Sequence, residues 1–310
     1  MAKKEKQILE GVAKFNRVSK PANALFSVIF FISAFCAVIP LVLVVILSFT
    51  DKTSIAAIGY SFTPNKWTLE AYNNLWDMKE SIGLSFLVSV FITVAGTLVG
   101  LFLNASMGYV LSRRSFKLRK LYTWIVFIPM VFNGGMVANY LIVTRFLHIN
   151  DTLWALILPI AVTSFYVIIL RTFFTTTVPD SLIESGKIDG ASQFRIFFQI
   201  VLPIALPALA TIGLFLSFAY WNDWFQALMY LENRDLFPLQ FVLIKIDQNI
   251  DFIVQNAQYM GMSAVEYALK IPQDGVKMAL VVIAVVPIAC SYPFFQQYFV
   301  SGLTIGAVKG

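Results

Sequence analysis

Long apolar runs alternate with short polar segments along the whole chain. Six runs stand out: Leu25–Phe49, Ile82–Leu111, Leu121–Thr144, Leu153–Leu170, Gln199–Tyr220 and Met278–Phe299, none with an Asp, Glu, Lys, Arg or His inside it. About 20 largely apolar residues carry a helix across the hydrocarbon core of a bilayer. The pattern therefore predicts an all-α polytopic membrane protein with six transmembrane helices in residues 25–300. Residues 1–24 precede them as a tail and 301–310 follow.

Composition agrees with that reading. Of 310 residues, 58% are hydrophobic and only 13% charged, and mean hydropathy is +0.76. A soluble domain carries about 25% charged residues, and a disordered chain is poor in apolar ones. The net charge of +6 is spread over short blocks beside apolar runs, so no nucleic-acid partner is expected. The partner is the lipid bilayer.

Those blocks set the orientation, because basic residues stay on the cytoplasmic side. With the N-terminus inside, cytoplasmic segments hold fifteen of the 23 lysines and arginines, while outside segments hold twelve of the 17 acids. The densest block is the short Arg113–Lys120 loop. Both termini are expected in the cytoplasm. In the tail, Ile8, Val12 and Phe15 recur at helical spacing opposite lysines and arginines. This suits either a helix lying along the headgroups or a basic tail that only fixes topology. No cleavable leader is expected, since the first apolar run exceeds the roughly 7–15 residues of a signal core.

Candidate chemistry is sparse. Cys36 and Cys290 lie in apolar runs and His148 is the only histidine, so no disulfide, metal site or proton shuttle is predicted. The nearest approach to a phosphate loop, Gly186-Lys187, has Ile188 where Ser or Thr is required and Ser181 where the first glycine belongs. No cofactor is therefore expected on this chain, and no catalytic residue.

The richest stretch is Val178–Pro207, VPDSLIESGKIDGASQFRIFFQIVLPIALP. Ser181 followed by Glu184 has capping-box spacing and predicts the start of a short helix. Asp189-Gly190 predicts a turn. A second short helix should follow, with Phe194, Phe197 and Phe198 as apolar contacts. Such a helix–turn–helix knob suits docking into a groove on a soluble partner. A plain re-entry loop, with Glu184 only a cap, fits the same residues.

This stretch resembles the E-A-A loop of ABC importer permeases, in particular their maltose-type carbohydrate branch. Glu184, Asp189, Gly190, Ala191, Phe197, Ile200, Leu202 and Pro203 fall on the family's places, and Ser185-Gly186 stands where two alanines are usual. The Trp221-Asn222-Asp223 element and the closing Gly302–Gly310 segment extend the resemblance, with a family core of about 82–299. The resemblance implies a type I ABC importer (MetI-like) architecture in a prokaryotic inner membrane. It implies a second homologous permease subunit, two cytoplasmic ATPase subunits that bind ATP and Mg, and an external solute-binding protein. It makes Glu184, Ser185, Gly186, Asp189, Gly190, Ala191 and Phe197 the ATPase-coupling residues, and the outside segment 221–277 a contact for the binding protein.

The solute would be a carbohydrate, an oligosaccharide in particular. Candidate path residues are Asn133, Asn139, Tyr140 and Asn222, from a wider set with Asn104, Tyr166, Tyr220 and Trp221. Asn133-Gly134-Gly135 is expected to unwind the third span locally. Tyr220 and Trp221 read better as an interfacial aromatic belt, and Asn133 and Asn139 equally well as interhelical hydrogen-bonding groups. The alternatives are an ion-coupled secondary transporter with a carbonyl-built site, a membrane-embedded glycan-processing enzyme, and a channel.

Overall fold

A computed structural model describes residues 19–260 and 272–307. The tail with Ile8, Val12 and Phe15 lies outside the described residues, as do 261–271 of the long 221–277 segment and 308–310. The helices are α1 (Lys20–Ser48), α2 (Lys52–Ile58), α3 (Glu70–Trp76), α4 (Lys79–Ser112), α5 (Arg119–Val131), α6 (Gly135–Leu141) and α7 (Leu153–Ala161). There follow α8 (Ser164–Thr177), α9 (Asp180–Ile188), α10 (Gln193–Ile196), α11 (Leu206–Trp221), α12 (Phe225–Tyr230), α13 (Leu239–Met260) and α14 (Gln273–Ala307). By proximity the chain divides into two units, Met1–Asn73 with Pro272–Val282, and Asn74–Ile271 with Ile283–Gly310.

In the first unit, α1 is apolar on every side and exposes Phe30, Phe31 and Phe35, as a lipid-facing helix does. Asp51 closes the turn after it. Its carboxylate accepts from the Thr53 N–H at 2.9 Å, capping α2, and pairs with Lys66 at 3.1 Å. The Thr53 hydroxyl beside it holds that carboxyl down at about 2. A single antiparallel bridge joins Thr50 to Trp67, and Tyr72 packs on Phe49 while bonding Ser48.

The second unit is organised by α4. Gly96, Gly100, Asn104 and Gly108 recur every fourth residue, all buried, and form one face without bulk. A Cβ on Gly96 would strike the Tyr220 ring at 2.5 Å. One on Gly100 would meet the Ala161 carbonyl and Leu216, and one on Gly108 the Leu170–Arg171 backbone region, each at 3.0 Å. Small residues let helices approach this closely where burial from water supplies no drive. Tyr220 and Trp221 are consequently 2% and 5% exposed. Tyr220 donates to the Ile157 carbonyl at 2.8 Å and Trp221 to Ala284 at 3.0 Å. The expected aromatic belt is corrected: both residues lock helices together.

Among the described residues, α1, α4 and the Gln273–Cys290 part of α14 are each long and apolar enough to cross a membrane, and two bent pairs raise the number to five. The fourth expected span is such a pair, α7 and α8, bent by 50°. Asn104, 0% exposed, bridges the break. Its amide donates to the Ala161 carbonyl at 2.7 Å, and its oxygen accepts from the Thr163 N–H at 3.2 Å. One side chain thus satisfies a donor and an acceptor freed where the helix stops. Asn104 is therefore a structural clamp.

The third expected span is also interrupted. It runs as α5, a break at Phe132–Gly134, α6, and a π turn over Ile142–Phe146. Asn133 accepts from the Gly135 N–H at 2.8 Å, and Gly135 has φ +80°, open to glycine without steric penalty. The unwinding read from Asn133-Gly134-Gly135 is present. The fifth expected span begins later than predicted. Residues Gln193–Ile204 lie at 83° to α11, so the continuous helix starts at Leu206, with Pro207 in its first turn, where a missing N–H costs nothing. Segment 221–277 is largely helical where described, through α12 and α13.

Candidate functional site

The Val178–Pro207 stretch folds as two short helices and a tight turn. The capping box does not form. Pro179 takes the N-cap position of α9, and no side chain caps that end. The other end is closed by backbone alone: the Ala191 N–H reaches the Gly186 carbonyl at 2.9 Å and the Gly190 N–H reaches Lys187 at 3.0 Å. Gly190 sits at φ +76°. This pair of bonds around a left-handed residue is the Schellman closure, and it explains why glycine stands at 190. Ser192 then caps α10 by accepting from the Arg195 N–H.

Packing decides which residues face out. Gly186 is buried, and a Cβ there would press Ile200 and Ile196 at 3.3 and 3.4 Å. Phe197 is only 6% exposed, its ring 5.2 Å from Tyr109 of α4. Gly186 therefore lets the knob's two arms close on each other, Phe197 holds the knob to α4, and neither lines its surface. Ile188 and Phe194 stand out instead, 85% and 77% exposed, beside exposed Glu184, Ser185, Asp189 and Gly190. Ala191 is half-buried in the turn. Ile188 escaped the sequence reading, although it follows Glu184 by one helical turn and so shares its face.

Behind the knob lies a cleft of about 700 Å³ lined by Arg113, Arg114, Phe116, Asp180, Glu184 and Lys187, among others. Arg113 ties it together. The guanidinium contacts Asp180 at 3.2 Å, the Phe174 carbonyl at 3.2 Å and the Ser112 hydroxyl at 2.9 Å, and lies over the Tyr109 ring. The C-terminal end of α4 is thereby joined to the first turn of α9. The sequence marked Arg113 only as a topology signal.

The path candidates do not converge. Asn133 is spent on the helix break, and Asn222 donates to the Phe218 carbonyl at 2.9 Å. Asn139 lines a cavity of about 270 Å³ with Gln226 and Tyr230. Tyr140 lines a separate one of about 450 Å³ with Arg145, His148, Asn150 and Glu232.

The family model for the binding-protein-dependent transport system inner membrane component matches residues 96–305. The chain belongs to that family. Curated members resemble this permease over most of its length. A polygalacturonan/rhamnogalacturonan transport system permease protein of Bacillus subtilis (strain 168), YtcP, is 39% identical over 89% of this chain and 94% of its own. Protein LplC of the same organism is 39% identical over 88% and 90%. Among solved structures, a bacterial ABC transporter involved in the import of the acidic polysaccharide alginate matches with a TM-score of 0.76. It is 25% identical and covers 91% of this chain and 99% of that one. The permease is thus a helical inner-membrane component of an ABC importer, with the MetI-like fold that the loop resemblance implied. The ion-coupled carrier, the membrane enzyme and the channel are not favoured.

Proposed function

We propose that this chain is one half of the translocation path of an ATP-driven oligosaccharide importer, and that the 180–201 knob carries force from a cytoplasmic ATPase into the helices. The observation that carries this reading is the knob itself: a backbone-closed turn that exposes Ile188 and Phe194 beside Glu184 and Asp189, seated on buried Ile196, Phe197 and Val201. Rigid apolar projections rimmed by charge are what a groove on another protein binds. Sugar transport by relatives supports the solute class: YtcP is named for polygalacturonan and rhamnogalacturonan, and the structural neighbour for alginate.

In this reading the knob faces the cytoplasm, as the basic Arg113–Lys120 loop next to it requires, and both termini lie on that side. A second permease completes the path, two ATPase subunits bind ATP and Mg, and an external solute-binding protein delivers the sugar. Nucleotide draws the two ATPases together, and the knobs, fixed to α4 through Arg113 and Tyr109, rock the helices between two states. Glu184→Lys tests this. Uptake and solute-stimulated ATP hydrolysis should both vanish while the variant still inserts in the membrane. Uptake at the wild-type rate would show that the knob is not the lever.

A further inference from the structure

At the end of α7 and α11 remote from the knob, two loops meet around the cleft lined by Tyr140, Thr144, Arg145, His148, Asn150 and Glu232. Its volume of about 450 Å³ falls among ligand pockets, which run from about 300 to 1,000 Å³. The cleft is built and held. Asp151 accepts from the Glu232 N–H at 3.0 Å and the Asn233 N–H at 2.8 Å, and its own N–H donates to the Tyr230 carbonyl at 2.8 Å. His148 and Asp151 both adopt positive φ, 51° and 56°. Non-glycine residues enter that region at a cost, and such strain collects at ligand sites. The π turn Ile142–Phe146 presents Arg145 from the same segment, another deviation frequent at functional sites.

Three kinds of group line this space. Tyr140 and Tyr230 stack with centroids 6.0 Å apart and planes 16° from parallel. Tyr230 is buried beneath, and the exposed Tyr140 ring offers its free face to the C–H face of a pyranose ring. Asn150 and Glu232 offer hydrogen bonds to hydroxyls. Arg145 is exposed and has no carboxylate within ion-pair distance among the described residues. A guanidinium fork left unpaired in a rigid polar cleft matches a planar carboxylate bidentately.

We infer that this cleft is a subsite for a sugar acid, with Arg145 binding the uronate carboxylate and Tyr140, backed by buried Tyr230, carrying the ring. The inference rests on the oligosaccharide reading above and narrows it to acidic glycans. It gives the permease its own charge selectivity, beyond whatever the binding protein exerts. A neutral sugar forfeits the carboxylate contact with Arg145, and Glu232 in the same cleft is left to accept from hydroxyls.

The test uses the complete importer in proteoliposomes, with the binding protein, and two substrates: an oligogalacturonide and its methyl ester of equal length. Arg145→Gln should lower uptake of the acid by about tenfold, the size of one lost charged hydrogen bond, and leave uptake of the ester within about twofold. Arg145→Lys should restore part of the acid rate. Equal loss for both substrates, or for neither, overturns the subsite. If wild-type importer carries the ester and not the acid, the subsite fails while the saccharide function stands. If it carries neither, nor any other saccharide, the function itself fails.

Discussion

The two ends of the second unit are both rigid, and they are made rigid by opposite means. At the knob, backbone closes on backbone: a glycine at φ +76° completes the turn, buried Gly186 lets its two arms pack together, and Phe197 clamps it to the body. At the remote cleft a side chain does the closing, through the Asp151 carboxylate, while His148 and Asp151 themselves bear the positive φ. The knob then shows solvent Ile188 and Phe194, and the cleft shows it Arg145, His148 and Glu232. A lever gripped by another protein needs stiff apolar projections. A site that must bind and release a hydrated solute needs polar groups held in place.

The contrast breaks most sharply if the knob's apolar projections are reversed in character. Ile188→Asp combined with Phe194→Asp should weaken ATPase docking by about a hundredfold or more, since anchors of this kind carry at least about 2 kcal/mol each. Co-purification of the nucleotide-binding subunit measures it. The remote cleft should be untouched, so Tyr140 and Tyr230 should keep their wild-type fluorescence environment. Loss of that signal would show that the knob and the cleft do not act as separate sites.

A smaller effect tests how the ends are joined. Asn104→Leu fills the same buried space but leaves the Ala161 carbonyl and the Thr163 N–H without their partner. Each unsatisfied buried group costs about 1–3 kcal/mol, so thermal unfolding in detergent should show a loss of about 2–6 kcal/mol for the two. Because Asn104 fixes the bend between α7 and α8, this variant should impair docking and uptake together. Impairment of uptake alone would place the bend with the cleft and outside the path of force.

What the sequence made legible follows the range of each interaction. The Asp189-Gly190 turn and the break at Asn133-Gly134-Gly135 were readable because glycine chemistry is local and acts within a few residues. The capping box at Ser181 was misread because Pro179, two residues earlier, already sets the helix start. The Asn104 clamp joins residues nearly sixty positions apart, and the Tyr220 notch on Gly96 more than a hundred; no window of sequence holds both partners. Phe194 and Phe197 are identical in type, and only packing decides that the first faces out and the second faces α4. The cleft was the least legible feature, since Tyr140 was singled out without Arg145, His148, Tyr230 or Glu232 beside it.

The smallest effect belongs to Asp223, in the turn that follows α11 at the remote end. Burial pushes its carboxyl up to about 6, while the N–H groups of Gln226 and Phe225 pull it back only in part. No counterpart to this exists in the way the knob is closed, where backbone bonds do not titrate. The folded-state value lies above the 3.8 of the free group, so folding favours the protonated form. That contribution is fully present below 3.8 and is lost as pH rises through about 6. Between pH 5 and 7 the remote end should therefore lose about 1 kcal/mol of stability. Asp223→Asn, which stays neutral, should flatten that slope in thermal unfolding across the same window. If the slope survives in the variant, a different group titrates there, and the proton-sensitive difference between the two ends is not set at Asp223.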